Sequence, residues 1–336
     1  MLTNLFLGDS TSRLGFGAMR LPVIDGNQAA INQKALDAMV DAALAAGVNY
    51  FDTAYPYHGN MSERALGASL ARHPRENFYL ATKYPGHQIA ETYDPAAIFE
   101  EQLAKCGVEY FDFYLLHNIY EASLEVYTDE QWGIADYFIE QKRLGRIRHL
   151  GFSCHGRIET LEAFLAYGAK KYAELAEKDP ETAALFSGTN IMEFCQIQLN
   201  YLDWSLQRGQ EKYALLERVG IPIVVMEPLR GGKLATLHED QMEQLRALNA
   251  ERTAAAWSFE WLLALDGVKV ILSGMSNLEQ VEQNCATFTE AEALTTEEEA
   301  ALVRVAETLK SGVPCTGCRY CVDSCPVQID IPLMME

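Results

Sequence analysis

Residues 48–83 read VNYFDTAYPYHGNMSERALGASLARHPRENFYLATK. The stretch opens with Val48 to Asp52, a short run of β-branched and aromatic residues, and closes with a second such run, Phe78 to Thr82. Between them Ser62 offers a cap for a helix that carries Leu66 and Leu70 on one face. Strand, loop, helix, strand is the unit of a parallel sheet, because parallel neighbours need a crossover long enough to hold a helix.

The same alternation extends outward in both directions. Further runs lie at Leu14 to Met19, Phe111 to His117, His149 to Ser153, Phe194 to Gln198, Pro222 to Met226 and Val268 to Ser273, which makes eight candidate strands. Most are continuous rather than alternating apolar runs, the pattern of strands covered on both faces. The intervening helices carry their own signals. Leu36, Met39, Val40, Ala43 and Leu44 share a helical face that Gly47 terminates, and Asp94 with Pro95 forms a cap and first-turn pair for a helix ending near Gly107. The segment from Lys170 to Asn190 is long, polar and partly helical around Tyr172 and Leu175, and reads as an insertion between the fifth and sixth units.

Eight such units point to a (β/α)8 TIM barrel over residues 1–312, followed by a short cysteine-rich tail over 313–336 that Pro314 introduces. A doubly wound open sheet uses the same alternation, but its dinucleotide fingerprint is absent. Gly15-Phe16-Gly17 lacks the third glycine and a following helix, so it reads as a tight first strand.

With 49% hydrophobic and 22% charged residues in 336, the chain has a globular composition, and no stretch reaches the ~18 apolar residues of a membrane helix. Met1 to Ser10 shows no secretory pattern, so the expected location is the cytoplasm. A formal net charge of −20 opposes binding to nucleic acid or an anionic membrane.

Chemistry in a barrel of this kind gathers where the strands end. Asp52 closes the second strand, Tyr57 follows in the loop, Lys83 closes the third strand and His117 the fourth. Singly, each is commonplace. Together they form a constellation for carbonyl reduction: a phenol as proton donor, an ammonium to lower its pKa, a carboxylate to keep the ammonium charged, and an imidazole to hydrogen-bond the substrate oxygen.

FDTAYPYHGNMSERALG (51–67), ATK (81–83) and LLH (115–117) resemble the three catalytic blocks of the aldo-keto reductases. The resemblance implies an acid tyrosine five residues after the aspartate, which selects Tyr57 over Tyr55. It also implies a nicotinamide at the C-terminal mouth, held by Ser153 in GFSCHG and Gln196 in QIQLNYLD, with Asn200 nearby. Cys154 stands where the family often has asparagine, and Met226 where many relatives place an aromatic ring. In VVMEPLRGGKL (224–234) Gly231 and Gly232, just after the seventh strand, would let backbone N–H groups approach a pyrophosphate, with Arg230 or Lys233 adding charge, against the alternative of a plain turn; Pro228 and Leu229 are expected to touch the cofactor as well. In ILSGMSNLEQVEQN (271–284) Gly274 and Gln280 replace the lysine and arginine that commonly grip the 2′-phosphate of NADPH, leaving Ser276, Asn277, Gln280 and Asn284 as polar contacts. NADP is the cofactor on family grounds, and NAD is the alternative.

Cys315, Cys318, Cys321 and Cys325, followed by Pro326, read C-x2-C-x2-C-x3-C, the bacterial ferredoxin run for a 4Fe-4S cluster. Zinc and an unfilled site are the competing readings, and either Cys325 or a distant thiol such as Cys285 completes a single cluster. With SRLGFGAMRLP (12–22) and FCQIQLNYLD (194–203), the tail resembles that of the bacterial and archaeal aldo-keto reductases carrying a ferredoxin-like C-terminal segment. Eleven residues follow Cys325, fewer than such relatives lead one to expect.

The leading expectation is therefore an NAD(P)H-dependent reductase of a small aldehyde or ketone. Beside it stand a ferredoxin-linked oxidoreductase with an electron-transfer partner, and a non-catalytic nicotinamide-sensing subunit.

Overall fold

The computed structural model describes residues 1–310, 322, 327 and 329–334. The four tail cysteines and the expected boundary at 312/313 lie outside the described residues. Eight parallel strands close into one barrel: β1 (Leu14–Gly17), β2 (Tyr50–Asp52), β3 (Tyr79–Tyr84), β4 (Phe111–Ile119), β5 (Ile147–Cys154), β6 (Cys195–Gln198), β7 (Ile223–Met226) and β8 (Val268–Ser273). Closure is made by β8 against β1, with Ile271 opposite Leu14 and Ser273 opposite Phe16.

The continuous apolar runs are explained by two burial environments. Along β4, Phe113 and Leu115 face the barrel interior with Tyr50, Phe194, Val224 and Val270, whereas Tyr114 and Leu116 face the helices. Small residues alternate with large ones to fill the interior. A Cβ at Gly151 would stand 2.5 Å from the Phe194 ring, and one at Gly15 would stand 2.7 Å from Val270 and Leu272. Gly15 is thus an interior packing position of the first strand, as its sequence context indicates.

Helix Gln33–Ala45 buries Leu36, Met39, Val40 and Ala43, and Gly47 follows it at φ +89°. Asp94 caps helix Pro95–Cys106 through Ala97 N, and Gly107 ends it in the left-handed region.

Two local expectations are corrected. Ser62 is not a cap; it lies inside helix Ser62–Leu70, and its Oγ lies 2.9 Å from Thr53 Oγ1 and donates to Ala18 O at 3.1 Å. The stretch 170–190 is helical around Tyr172 and Leu175 as expected, but it is not a separate insertion, because the helix after β5 runs unbroken from Ile158 to Lys178 and is followed by the short helix Pro180–Ala183. Asn190 then folds back on the long helix, donating to Leu165 O at 2.9 Å. Two hairpins, Thr3–Phe6 with Asp9–Ser12 and Val23–Ile24 with Asn27–Ile31, add to the barrel. The first closes its floor, with Phe6 stacked on Phe113 at 4.9 Å between ring centroids. Among the described residues no helix is long and apolar enough to cross a membrane.

Candidate active site

The carboxyl ends of β2, β3 and β4 bring three of the expected side chains together. Lys83 Nζ donates to Asp52 Oδ1 at 2.5 Å and to Thr53 O at 2.7 Å, with both side chains essentially buried. Burial lowers the lysine and raises the aspartate from their ordinary values, and each partner's charge opposes that drift. The β3 peptide bearing Lys83 is itself fixed. Gln102 Nε2 donates to Lys83 O at 3.0 Å and to Glu63 Oε1 at 2.7 Å, and Thr82 Oγ1 donates to the same carboxylate at 2.6 Å.

Tyr57 reaches this pair from the loop after β2. Lys83 Nζ lies 5.1 Å from the centre of its ring, and the His117 ring meets it edge-to-face at 5.8 Å. The loop is anchored through His58, whose Nε2 accepts from Leu21 N at 3.1 Å. Tyr55 points elsewhere: its hydroxyl donates to Glu101 Oε2 at 2.9 Å and the Lys105 ammonium sits 3.8 Å from its ring centre.

Burial, together with His87, Lys83 and His155, holds His117 well below the ordinary imidazole value. His87, 4.3 Å from the His117 ring, and His155 are both pushed down to about 4, chiefly by burial. These three imidazoles stay neutral while those of the unfolded chain titrate near ~6.5. As pH falls below that value the unfolded state takes up protons that the folded state does not, so stability is lost between about pH 6.5 and 4, at up to about 1.4 kcal/mol per pH unit for each group. Urea midpoints at pH 7 and pH 5 are expected to show a clear acid loss, less steep in H87Q. Equal slopes in the two proteins would contradict the burial of a neutral His87.

Asp52 and Tyr57 open onto a cavity of about 530 Å³. Gln196, Met226, Pro228, Leu229 and Gly232 line its middle, and Gly274, Ser276, Gln280 and Asn284 its far end. Ser153 is buried opposite Gln196 on the neighbouring strand, and its Oγ accepts from Asn118 N at 2.7 Å. Gln196 is 2% exposed, and its Oε1 has no hydrogen-bond partner among the described residues. Asn284 Nδ2 donates to Ser273 Oγ at 3.0 Å, and Gln280 Oε1 accepts from Ser276 N at 2.7 Å. Asn200 joins the loops after β6 and β7, donating to Asp203 Oδ2 at 2.7 Å and to Glu227 O at 3.0 Å.

Two basic residues depart from the position expected for them beside a pyrophosphate. Arg230 turns inward and forms a buried pair with Asp203 at 2.8 Å, so its charge is neutralised within the fold; Lys233 is exposed and off the cavity wall. Cys154 is a buried thiol raised to about 11, mainly by burial. Sequence reasoning missed Arg20, His87, His155 and Glu227. All four lie in loops beyond the strand ends, where the apolar pattern that located the other residues has stopped; the available signal was adjacency to residues already singled out, His155 next to Cys154 and Glu227 between Met226 and Pro228.

The aldo/keto reductase family model matches residues 13–307. The Glycine max protein named "Probable aldo-keto reductase 1" is 24% identical over 233 residues, covering 67% of this chain and 58% of that protein. The chain thus spans less than two thirds of that relative. L-galactose dehydrogenase of Arabidopsis thaliana is 25% identical over 310 residues, covering 87% of this chain and 89% of that protein. An aldo-keto reductase of Klebsiella pneumoniae, solved in complex with NADPH, superposes with a TM-score of 0.68 at 19% identity, covering 91% of this chain and 96% of that one, and shows the shared fold. Because the family model runs through all eight strands of the barrel that carries Asp52, Tyr57, Lys83 and His117, the chain belongs to the aldo/keto reductase family.

Proposed function

We propose that the protein reduces a small aldehyde or ketone, or runs the reverse reaction, with NADPH as cofactor and Tyr57 as the proton donor. The observation that carries this reading is the Tyr57 ring on the cavity wall, with the Lys83 ammonium on one side and the neutral His117 imidazole on another.

The residues present suit a nicotinamide dinucleotide. Gln196 presents a buried, unpartnered carbonyl oxygen, which suits the amide hydrogens of a carboxamide, and Ser153 stands beside it. Gly231 and Gly232, at φ +67° and +99°, shape a side-chain-free stretch of backbone on the same wall. The NADPH complex of the Klebsiella pneumoniae protein supports this choice of cofactor.

NADPH, when bound, supplies the hydride. The chain's own groups manage the proton. Lys83 favours the phenolate of Tyr57 electrostatically, which makes the phenol a stronger acid, and Asp52 keeps Lys83 charged despite its burial. His117 is neutral, so it orients the substrate oxygen by hydrogen bonding without adding a second charge beside Lys83. Burial of all three keeps bulk water from the proton path. Purified protein is expected to oxidise NADPH, followed at 340 nm, only when a carbonyl compound is added. Failure across a broad panel of aldehydes and ketones would favour the sensing subunit instead.

The reading includes a 4Fe-4S cluster on Cys315, Cys318, Cys321 and Cys325. Its support is the cysteine spacing, whose four thiolates match the donor set of a cubane cluster. The completing ligand is Cys325 rather than Cys285, whose thiol is buried and raised by burial. Anaerobically purified protein is expected to be brown, with broad absorbance near ~400 nm. A colourless, zinc-containing preparation would contradict the cluster.

A further inference from the structure

Tyr57 is carried by the loop between β2 and helix Ser62–Leu70, and the backbone directly after it turns left-handed. His58, Gly59 and Asn60 lie at φ +54°, +60° and +68°. Glycine adopts such angles freely and asparagine tolerates them, whereas histidine does so at a cost that its surroundings must offset.

The contacts of His58 supply that offset. The residue is 7% exposed, and its ring meets two backbone groups: Nε2 lies 3.1 Å from Leu21 N, and Nδ1 lies 2.8 Å from Gln28 O. A peptide N–H can only donate and a peptide carbonyl can only accept, so Nε2 is the acceptor and Nδ1 carries the hydrogen. The imidazole is therefore neutral and in a single tautomer, and burial holds it below the ordinary value.

Each contact fastens a different segment to the tyrosine loop. Leu21 follows the turn Ala18–Arg20, whose Met19 and Arg20 line the cavity that Tyr57 faces. Gln28 belongs to the exposed hairpin strand Asn27–Ile31, which lies against the loop closely enough that a Cβ at Gly59 would stand 3.6 Å from the Cβ of Ala29. Within the loop, Tyr57 N donates to Ala54 O and Tyr57 O accepts from Ser62 N, both at 3.2 Å. Those bonds close the turn; the ties from the next residue to two outside segments set its tilt over Lys83.

We propose that His58 is a positioning residue, which holds the Tyr57 hydroxyl within reach of the reacting oxygen by clamping its loop between the turn after β1 and the hairpin. This rests on the reading of Tyr57 as proton donor. A donor displaced by an ångström loses much of its effect, so the clamp is read in turnover. The cofactor wall stands without it, because the turn Ala18–Arg20 keeps its ties from Ser62 to Ala18 O and from Ser276 to Arg20 O.

The test is turnover of an aldehyde that the wild type reduces, beside the dissociation constant for NADPH, in the wild type, H58G, Y57F and the double variant H58G/Y57F. Glycine accepts the left-handed backbone and removes only the ring, so the loop keeps its path. H58G is expected to lower kcat by about tenfold to a hundredfold with NADPH affinity unchanged. In Y57F no proton donor remains to be placed, so adding H58G is expected to cost little more. Asparagine tolerates the same backbone and ends one bond short of the ring nitrogen that meets Leu21 N, so H58N, with a loss in the same direction, carries the comparison should glycine disturb folding. Full turnover in the folded variant, or the same fold-loss in the Y57F background as in the wild type, would overturn the assignment. Turnover in Y57F equal to that of the wild type would instead overturn the proton-donor reading beneath it.

Discussion

Replacing Tyr57 with phenylalanine is expected to lower turnover by ~10²- to 10⁴-fold, the usual worth of a positioned general acid. The substitution removes one hydroxyl and leaves the ring that packs between Lys83 and His117. The melting temperature and the affinity for NADPH are therefore expected to stay near those of the wild type. Measuring turnover and binding in the same preparation separates a lost proton donor from a damaged fold, and unchanged turnover would remove Tyr57 from the chemistry.

The second large effect is expected at the ion pair behind that tyrosine. Asp52→Ala leaves a fully buried lysine without its carboxylate, and breaking a buried pair from one side costs about 3–5 kcal/mol. Denaturant titration is expected to show a loss of that order, partly recovered in the double variant D52A/K83M, which removes the stranded charge as well. Lys83→Met alone acts on the chemistry. Without the neighbouring ammonium the Tyr57 phenol becomes a weaker acid, so turnover falls and the alkaline limb of the kcat/KM profile moves to higher pH. A downward or absent shift of that limb would mean that Lys83 does not tune Tyr57.

The barrel was legible because most strands are largely apolar runs buried on both faces, a pattern that survives at Phe113 to Leu116 without any tertiary information. The hairpins were harder to read. Thr3–Phe6 and Asp9–Ser12 are too short for periodicity, although the other hairpin's turn, Asp25-Gly26, with both residues at positive φ, is a strong local signal that went unread. The segment from Lys170 onward looked polar because the fully buried stripe of its helix, from Thr160 to Lys171, ends there.

At the site the same division holds. Asp52, Lys83 and His117 could be placed together because they sit at strand ends, and Tyr57 was chosen over Tyr55 by the resemblance. Arg230 was misplaced because charge alone does not reveal that Asp203, twenty-seven positions earlier, waits inside the fold to neutralise it.

The most direct measurement is a crystal structure of the protein with NADP+ bound. The expected density runs along the cavity, with the nicotinamide at Gln196 and Met226 beside the Tyr57 hydroxyl. A dinucleotide bound elsewhere on the molecule, or one whose nicotinamide lies far from Tyr57, would contradict the proposed chemistry.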